Sequence, residues 1–100
     1  MGSHLEAAVK AKLRAYLKSL GSDCHQYWPV PTGYGSTTVD VLICYRGRFF
    51  AIEVKRPGVS EPSARQACVM RAIAEAGGGV WLENSIDLEA TKERLRALLP

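Results

Sequence analysis

The chain is 100 residues long, 47% hydrophobic and 23% charged, with a formal net charge of +3 at neutral pH. That length supports one domain around one small core, and that apolar content excludes a disordered chain. The mildly basic balance is compatible with a nucleic-acid partner without requiring one, and no apolar run is long enough for a membrane span.

Residues 1–4 read as an expression-vector remnant, and no signal peptide is visible. Residues 5–100 are therefore expected to form a single domain. Cys24, Cys44 and Cys68 are odd in number and widely spaced, with no C-x-x-C pair, which argues against a disulfide framework or a zinc site. They are expected to be small buried hydrophobes in a cytoplasmic protein.

Residues 5–20 predict a helix, because Leu5, Val9, Leu13, Tyr16, Leu17 and Leu20 recur at helical period and Gly21 can end it. Lys10, Lys12, Arg14 and Lys18 mostly decorate its other side. Residues 24–30 predict a short strand that Pro29 confines to an edge or a strand end. Residues 31–36, PTGYGS, are turn material. Residues 39–45 and 48–55 are β-rich runs flanking Arg46-Gly47, the signature of a hairpin. After a loop, Pro62 suits a first helical turn capped by Ser60 or Glu61, and that helix should run to about Ala76 before Gly77-Gly78-Gly79. Residues 80–83 predict a strand and residues 87–98 a last helix with Asp87 as a possible cap. The order α-β-β-β-α-β-α predicts a mixed α/β (α+β) domain, one small mixed sheet flanked by helices.

The hairpin carries the functional reading. A two-residue turn at Arg46-Gly47 sets Tyr45 opposite Arg48, Ile43 opposite Phe50 and Val41 opposite Ile52, and its continuation sets Asp40 opposite Glu53. Directly opposed side chains have Cβ atoms about 4.5–5.5 Å apart, so two acids there repel. A divalent cation resolves the conflict, since converging carboxylates suit a hard cation such as Mg²⁺ or Mn²⁺. Lys55 follows Glu53 on the same face, within reach of a water on that cation. Taken alone, Glu53 and Lys55 would be an ordinary surface pair contributing about 0–1 kcal/mol. Asp40 in register favours the cation site.

Other residues keep two readings open. Glu6 lies almost in line with Leu13, at the edge of the apolar stripe; it is either a site acid or an acid favoured by the helix N-terminus. Gln66 aligns with Met70 and Ile73, so it is a satisfied core amide or a holder of water or Lys55. Arg56 is a phosphate contact or a solvated arginine. Tyr27, Trp28 and Tyr34 stack on bases or, more ordinarily, pack around the turn. The basic face of the first helix, Lys10 included, contacts DNA or only water.

The stretches VDVLICYRGRFFAIEVKRPGVSEPSARQ and AGGGVWL together resemble the VRR-NUC (virus-type replication-repair nuclease) family of the PD-(D/E)XK, restriction-endonuclease-like superfamily. The resemblance spans residues 27–82, and Glu6 fits the family's N-terminal helix. It implies that Asp40, Glu53 and the Val54 backbone carbonyl hold a catalytic Mg²⁺ or Mn²⁺. It further implies that Lys55 orients or helps deprotonate the attacking water, that Gln66 supports the site, and that Glu6 is an outer ligand or a water holder. Val39 stands where the family has a proline before the catalytic aspartate, a position that supplies no ligand. The stand-alone form looks like the phage-encoded members, which implies a homodimer in the bacterial host cytoplasm acting on four-way DNA junctions. Flaps, nicks or linear duplex are the alternative substrates, and a non-catalytic nucleic-acid-binding domain is the alternative role.

Overall fold

The computed structural model describes residues 3–30 and 39–98. Three α-helices, α1 (Ser3–Ser19), α2 (Ala64–Glu75) and α3 (Glu89–Arg96), flank four strands, β1 (Cys24–Tyr27), β2 (Val41–Tyr45), β3 (Arg48–Val54) and β4 (Gly79–Glu83). The order α-β-β-β-α-β-α is the one expected, with a 3-10 turn at Gly21–Asp23 added after α1. No helix among the described residues is long and apolar enough to cross a membrane.

The sheet runs β1-β2-β3-β4, antiparallel for the first two pairings and parallel between β3 and β4. The parallel pairing needs a crossover, and α2 supplies it. The hairpin has the anticipated register, Val41 with Ile52 through Tyr45 with Arg48. Its turn has positive φ at both positions, 52° at Arg46 and 84° at Gly47, as a type I′ turn requires. Strand pairing stops at Val41–Ile52, so Asp40 stands just outside the ladder.

One sheet face is closed. Val9, Leu13 and Leu17 of α1 meet Val41, Ile43, Tyr45, Ile52, Val54 and Trp81 of the sheet, with Leu88 and Leu95 from the α3 region, in one buried cluster. Trp81 is fixed by its Nε1–H, which donates to Thr91 Oγ1 at 2.9 Å, and it stacks tilted against Phe50. Gly79 lies so close to the Phe50 ring that a Cβ there would collide with it. The opposite face carries α2 over β3 and β4, and no residue of α2 is fully buried.

Three local expectations are corrected. α2 begins at Ala64 with Ser63 as its cap, displacing Pro62 and the Ser60 or Glu61 cap, because Ser63 and Gln66 form a reciprocal capping box that satisfies two backbone donors. Asp87 does not cap α3; Leu88 holds that position in the left-handed region, φ 57°, with its side chain in the core. The cysteines are free but not buried as a set. Cys24 is intermediate, and Cys44 and Cys68 are exposed, Cys44 because it lies on the β2 face away from the closed core.

Candidate functional site

Strand alternation brings Glu53 to the end of β3 on the face away from the closed core. Ile52 and Val54, its neighbours, are buried on the core side. Glu53 is itself only 2% exposed. Burying a carboxylate is costly unless its oxygens are satisfied. Oε2 receives the Gln66 Nε2–H and lies 3.7 Å from Lys55 Nζ. Oε1 is buried with no hydrogen-bond partner.

Gln66 is aimed at that oxygen by its own helix. Its Oε1 accepts the Ser63 N–H at 2.9 Å, and its N–H donates to Ser63 Oγ at 3.2 Å. With its carbonyl committed to the capping box, the amide has only its NH₂ to turn toward Glu53. Gln66 therefore holds Glu53 rather than Lys55. The signal was present in the sequence as S-x-x-Q before an apolar helix, the capping-box spacing.

Asp40 is placed by a bond that side-chain alternation does not reveal. Its Oδ2 accepts the Val54 N–H at 2.8 Å, which ties the start of β2 to the end of β3 beside Glu53. Its Oδ1 lies 3.3 Å from Lys10 Nζ, and Lys10 also pairs with Glu6 at 3.4 Å. Glu6 thus reaches the acidic pair only through Lys10. That link depends on the distance from α1 to the sheet, although the i,i+4 spacing of Glu6 and Lys10 foretold half of it.

The electrostatics follow. Burial pushes the Glu53 carboxyl up from an ordinary 4.5 to about 8, reinforced by the neighbouring Asp40 carboxylate and opposed by Lys55. Lys10 is shifted up: burial works against its charge, but Asp40 and then Glu6 outweigh it. The charge of Asp40 thus disfavours the ionised form of Glu53 beside it.

Two hydrogen bonds tie the platform to its neighbours. The Lys55 N–H donates to Glu83 O at 3.0 Å, and Asn84 Nδ2 donates to Val59 O at 2.8 Å, so the loop after β3 is pinned to β4. Glu83 is fully buried, yet both oxygens are satisfied, Oε1 by Thr91 N–H at 2.8 Å and Oε2 by Ser85 N–H at 3.1 Å. No spacing in the sequence singles out Glu83. It braces the turn into α3, and its completed hydrogen bonds set off the open oxygen of Glu53.

No family model, curated protein or solved structure matches this chain.

The donor set fits a hard divalent cation. Glu53 Oε1 is a buried carboxylate oxygen without a partner, Asp40 stands beside it, and the Lys10 ammonium already occupies a cation's place on Asp40. Among the described residues no three His, Cys, Asp or Glu side chains converge as a ligand group. Mg²⁺ does not need three, since it is commonly held by one or two carboxylates together with water and substrate phosphate.

The remaining expected residues are scattered. Arg56 is exposed immediately after Lys55. Trp28 is locked rather than open: its Nε1–H donates to Gln26 Oε1 at 2.7 Å, and the Arg14 guanidinium lies 4.3 Å from its ring centroid. Tyr27 is exposed at the end of β1. Tyr34 lies outside the described residues.

Proposed function

We propose that this chain is a divalent-metal-dependent DNA endonuclease that hydrolyses phosphodiester bonds and, as a homodimer, resolves four-way (Holliday) junctions. One observation carries the reading: Glu53 is buried with Oε1 unsatisfied, while Asp40, Lys55 and Gln66 converge on the same few ångströms. A stability-driven core does not leave a carboxylate oxygen open. The resemblance of the hairpin and the helix after it to VRR-NUC nucleases supports the choice of DNA as substrate.

Asp40 and Glu53 would hold Mg²⁺ or Mn²⁺, with the Val54 carbonyl as the third protein oxygen. A cation there supplies Lewis-acid polarisation of the phosphate and a water of lowered pKa. Gln66 holds Glu53 by Oε2 and leaves Oε1 as the oxygen without a partner. Lys55 places a positive charge beside the phosphate oxygens as negative charge builds on them. Arg56, exposed next to it, suits a flanking phosphate. A homodimer with two-fold symmetry presents two such sites, as paired nicks across a junction demand.

The test is cleavage of labelled four-way, flap and linear duplex DNA with Mg²⁺ or Mn²⁺, using wild type, Asp40→Ala and Lys55→Ala. Paired junction nicks are expected from wild type, with each substitution lowering the rate roughly a hundred- to a thousandfold. No metal-dependent cutting of any substrate overturns the enzyme reading in favour of a non-catalytic binding domain. Cutting of flaps or linear duplex alone replaces the junction as substrate.

A further inference from the structure

Lys10 stands between two acids, 3.4 Å from Glu6 Oε2 and 3.3 Å from Asp40 Oδ1. Both Asp40 oxygens are therefore engaged, since Oδ2 already accepts the Val54 N–H. A cation that takes Oδ1 must compete with the ammonium already there. We propose that Lys10 is a resident counter-cation of the metal-free site, which a divalent cation displaces from Asp40, freeing the ammonium to meet a backbone phosphate. The step rests on the metal-dependent reading above and gives Lys10 a positioning role.

Two features fit Lys10 to this exchange. It has a second acid, Glu6, one helical turn away, so leaving Asp40 does not strand its charge. Its side chain is 36% exposed on a flexible stem, so it moves without opening the core. Lys55 differs on both counts, with its side chain only 20% exposed and its pairing to Glu53, which is deeply buried. Two lysines thus face two carboxylates, one able to leave and one held in place. Glu6 then serves the site without being a ligand, as the acid that keeps Lys10 near once Asp40 is taken. A lysine released as the cation arrives would also tie metal loading to phosphate binding, because its charge is offered outward only in the loaded protein.

Mn²⁺ binding, measured by calorimetry without DNA, tests the exchange in wild type, Lys10→Met and Lys12→Met. Lys12 is an exposed lysine of the same helix and controls for net charge, which salt screens at such distances. Lys10→Met should bind Mn²⁺ roughly two- to fivefold tighter, and Lys12→Met should match wild type. In wild type, labelling of the Lys10 amine, read by mass spectrometry, should rise as Mn²⁺ saturates. Equal affinity in wild type and Lys10→Met, or unchanged Lys10 labelling, overturns the exchange while leaving the metal-dependent reading intact. Absence of Mn²⁺ binding in all three proteins overturns both.

Discussion

The two faces of the sheet are built on opposite rules. On one, α1 and the α3 region close over β2, β3 and β4 with apolar side chains, and the one buried carboxylate there, Glu83, has both oxygens bonded to backbone N–H groups. On the other, α2 contributes no fully buried residue and lies beside a carboxylate left with an open oxygen. Both faces belong to the same strands, and adjacent residues divide between them: Ile52 and Val54 look into the core while Glu53 looks out of it. The packed core and the candidate site are thereby separated by the pleat of a single strand. The closed face holds the backbone so firmly that the open face can keep two acids together at a cost.

The sharpest break of this division is a truncation on the closed face. Leu13 is fully buried in the main cluster, and Leu13→Ala should destabilise the protein by about 2–5 kcal/mol, measured by urea unfolding. Ile73→Ala on α2, where the side chain is only partly buried, should cost less than half as much. Equal costs would show that α2 is as integral to the core as α1, and the division between the faces would fail.

The second test concerns the open face and has a definite sign. The Glu53 carboxyl sits at about 8 in the folded protein against an ordinary 4.5. Between those values the folded state holds a proton that the unfolded state has lost, so metal-free stability should fall as pH rises through that window. The contribution is fully present below about 4.5 and gone above about 8, and amounts to a few kcal/mol at most. Glu53→Gln mimics the protonated group and should flatten the profile, as read from urea midpoints in EDTA. An unaltered slope in Glu53→Gln would assign the dependence to another group. Divalent cation should work the other way, binding more tightly as pH rises because it must replace that proton.

The architecture was largely legible in the sequence, for identifiable reasons. Arg46-Gly47 between β-rich runs sets a two-residue turn, and alternation from that turn determines every partner from Tyr45–Arg48 to Val41–Ile52. The same arithmetic brought Asp40 to Glu53, but by way of a different contact: Asp40 leaves the ladder and accepts the Val54 N–H instead. What escaped depended on three-dimensional coverage or on competing local bonds. Cys44 is exposed because α2 spans β3 and β4, and hydropathy does not say how far a helix reaches across a sheet. Pro62 suited a first turn, yet Ser63 and Gln66 satisfied each other's backbone and started the helix later. Lys10 touches Asp40 only because α1 lies at one particular height over the sheet.

The capping box is where the two faces' rules meet, and it offers the smallest and most discriminating test. Ser63 contributes to stability by accepting the Gln66 N–H, and to the site by committing the Gln66 carbonyl. Ser63→Ala should cost about 1 kcal/mol, the ordinary loss of an N-cap, visible as a small fall in the urea midpoint. It should lower the rate of the proposed DNA cleavage by more than that loss explains, because Gln66 is then free to turn its NH₂ away from Glu53 Oε2. Ser63→Asp restores the cap and should restore the rate along with the stability. A variant with the stability loss alone would make Gln66 an ordinary capping residue whose bond to Glu53 is incidental. A rate loss that follows the cap through both substitutions would show the start of α2 orienting the site, so that a helix with no buried residue still governs the chemistry.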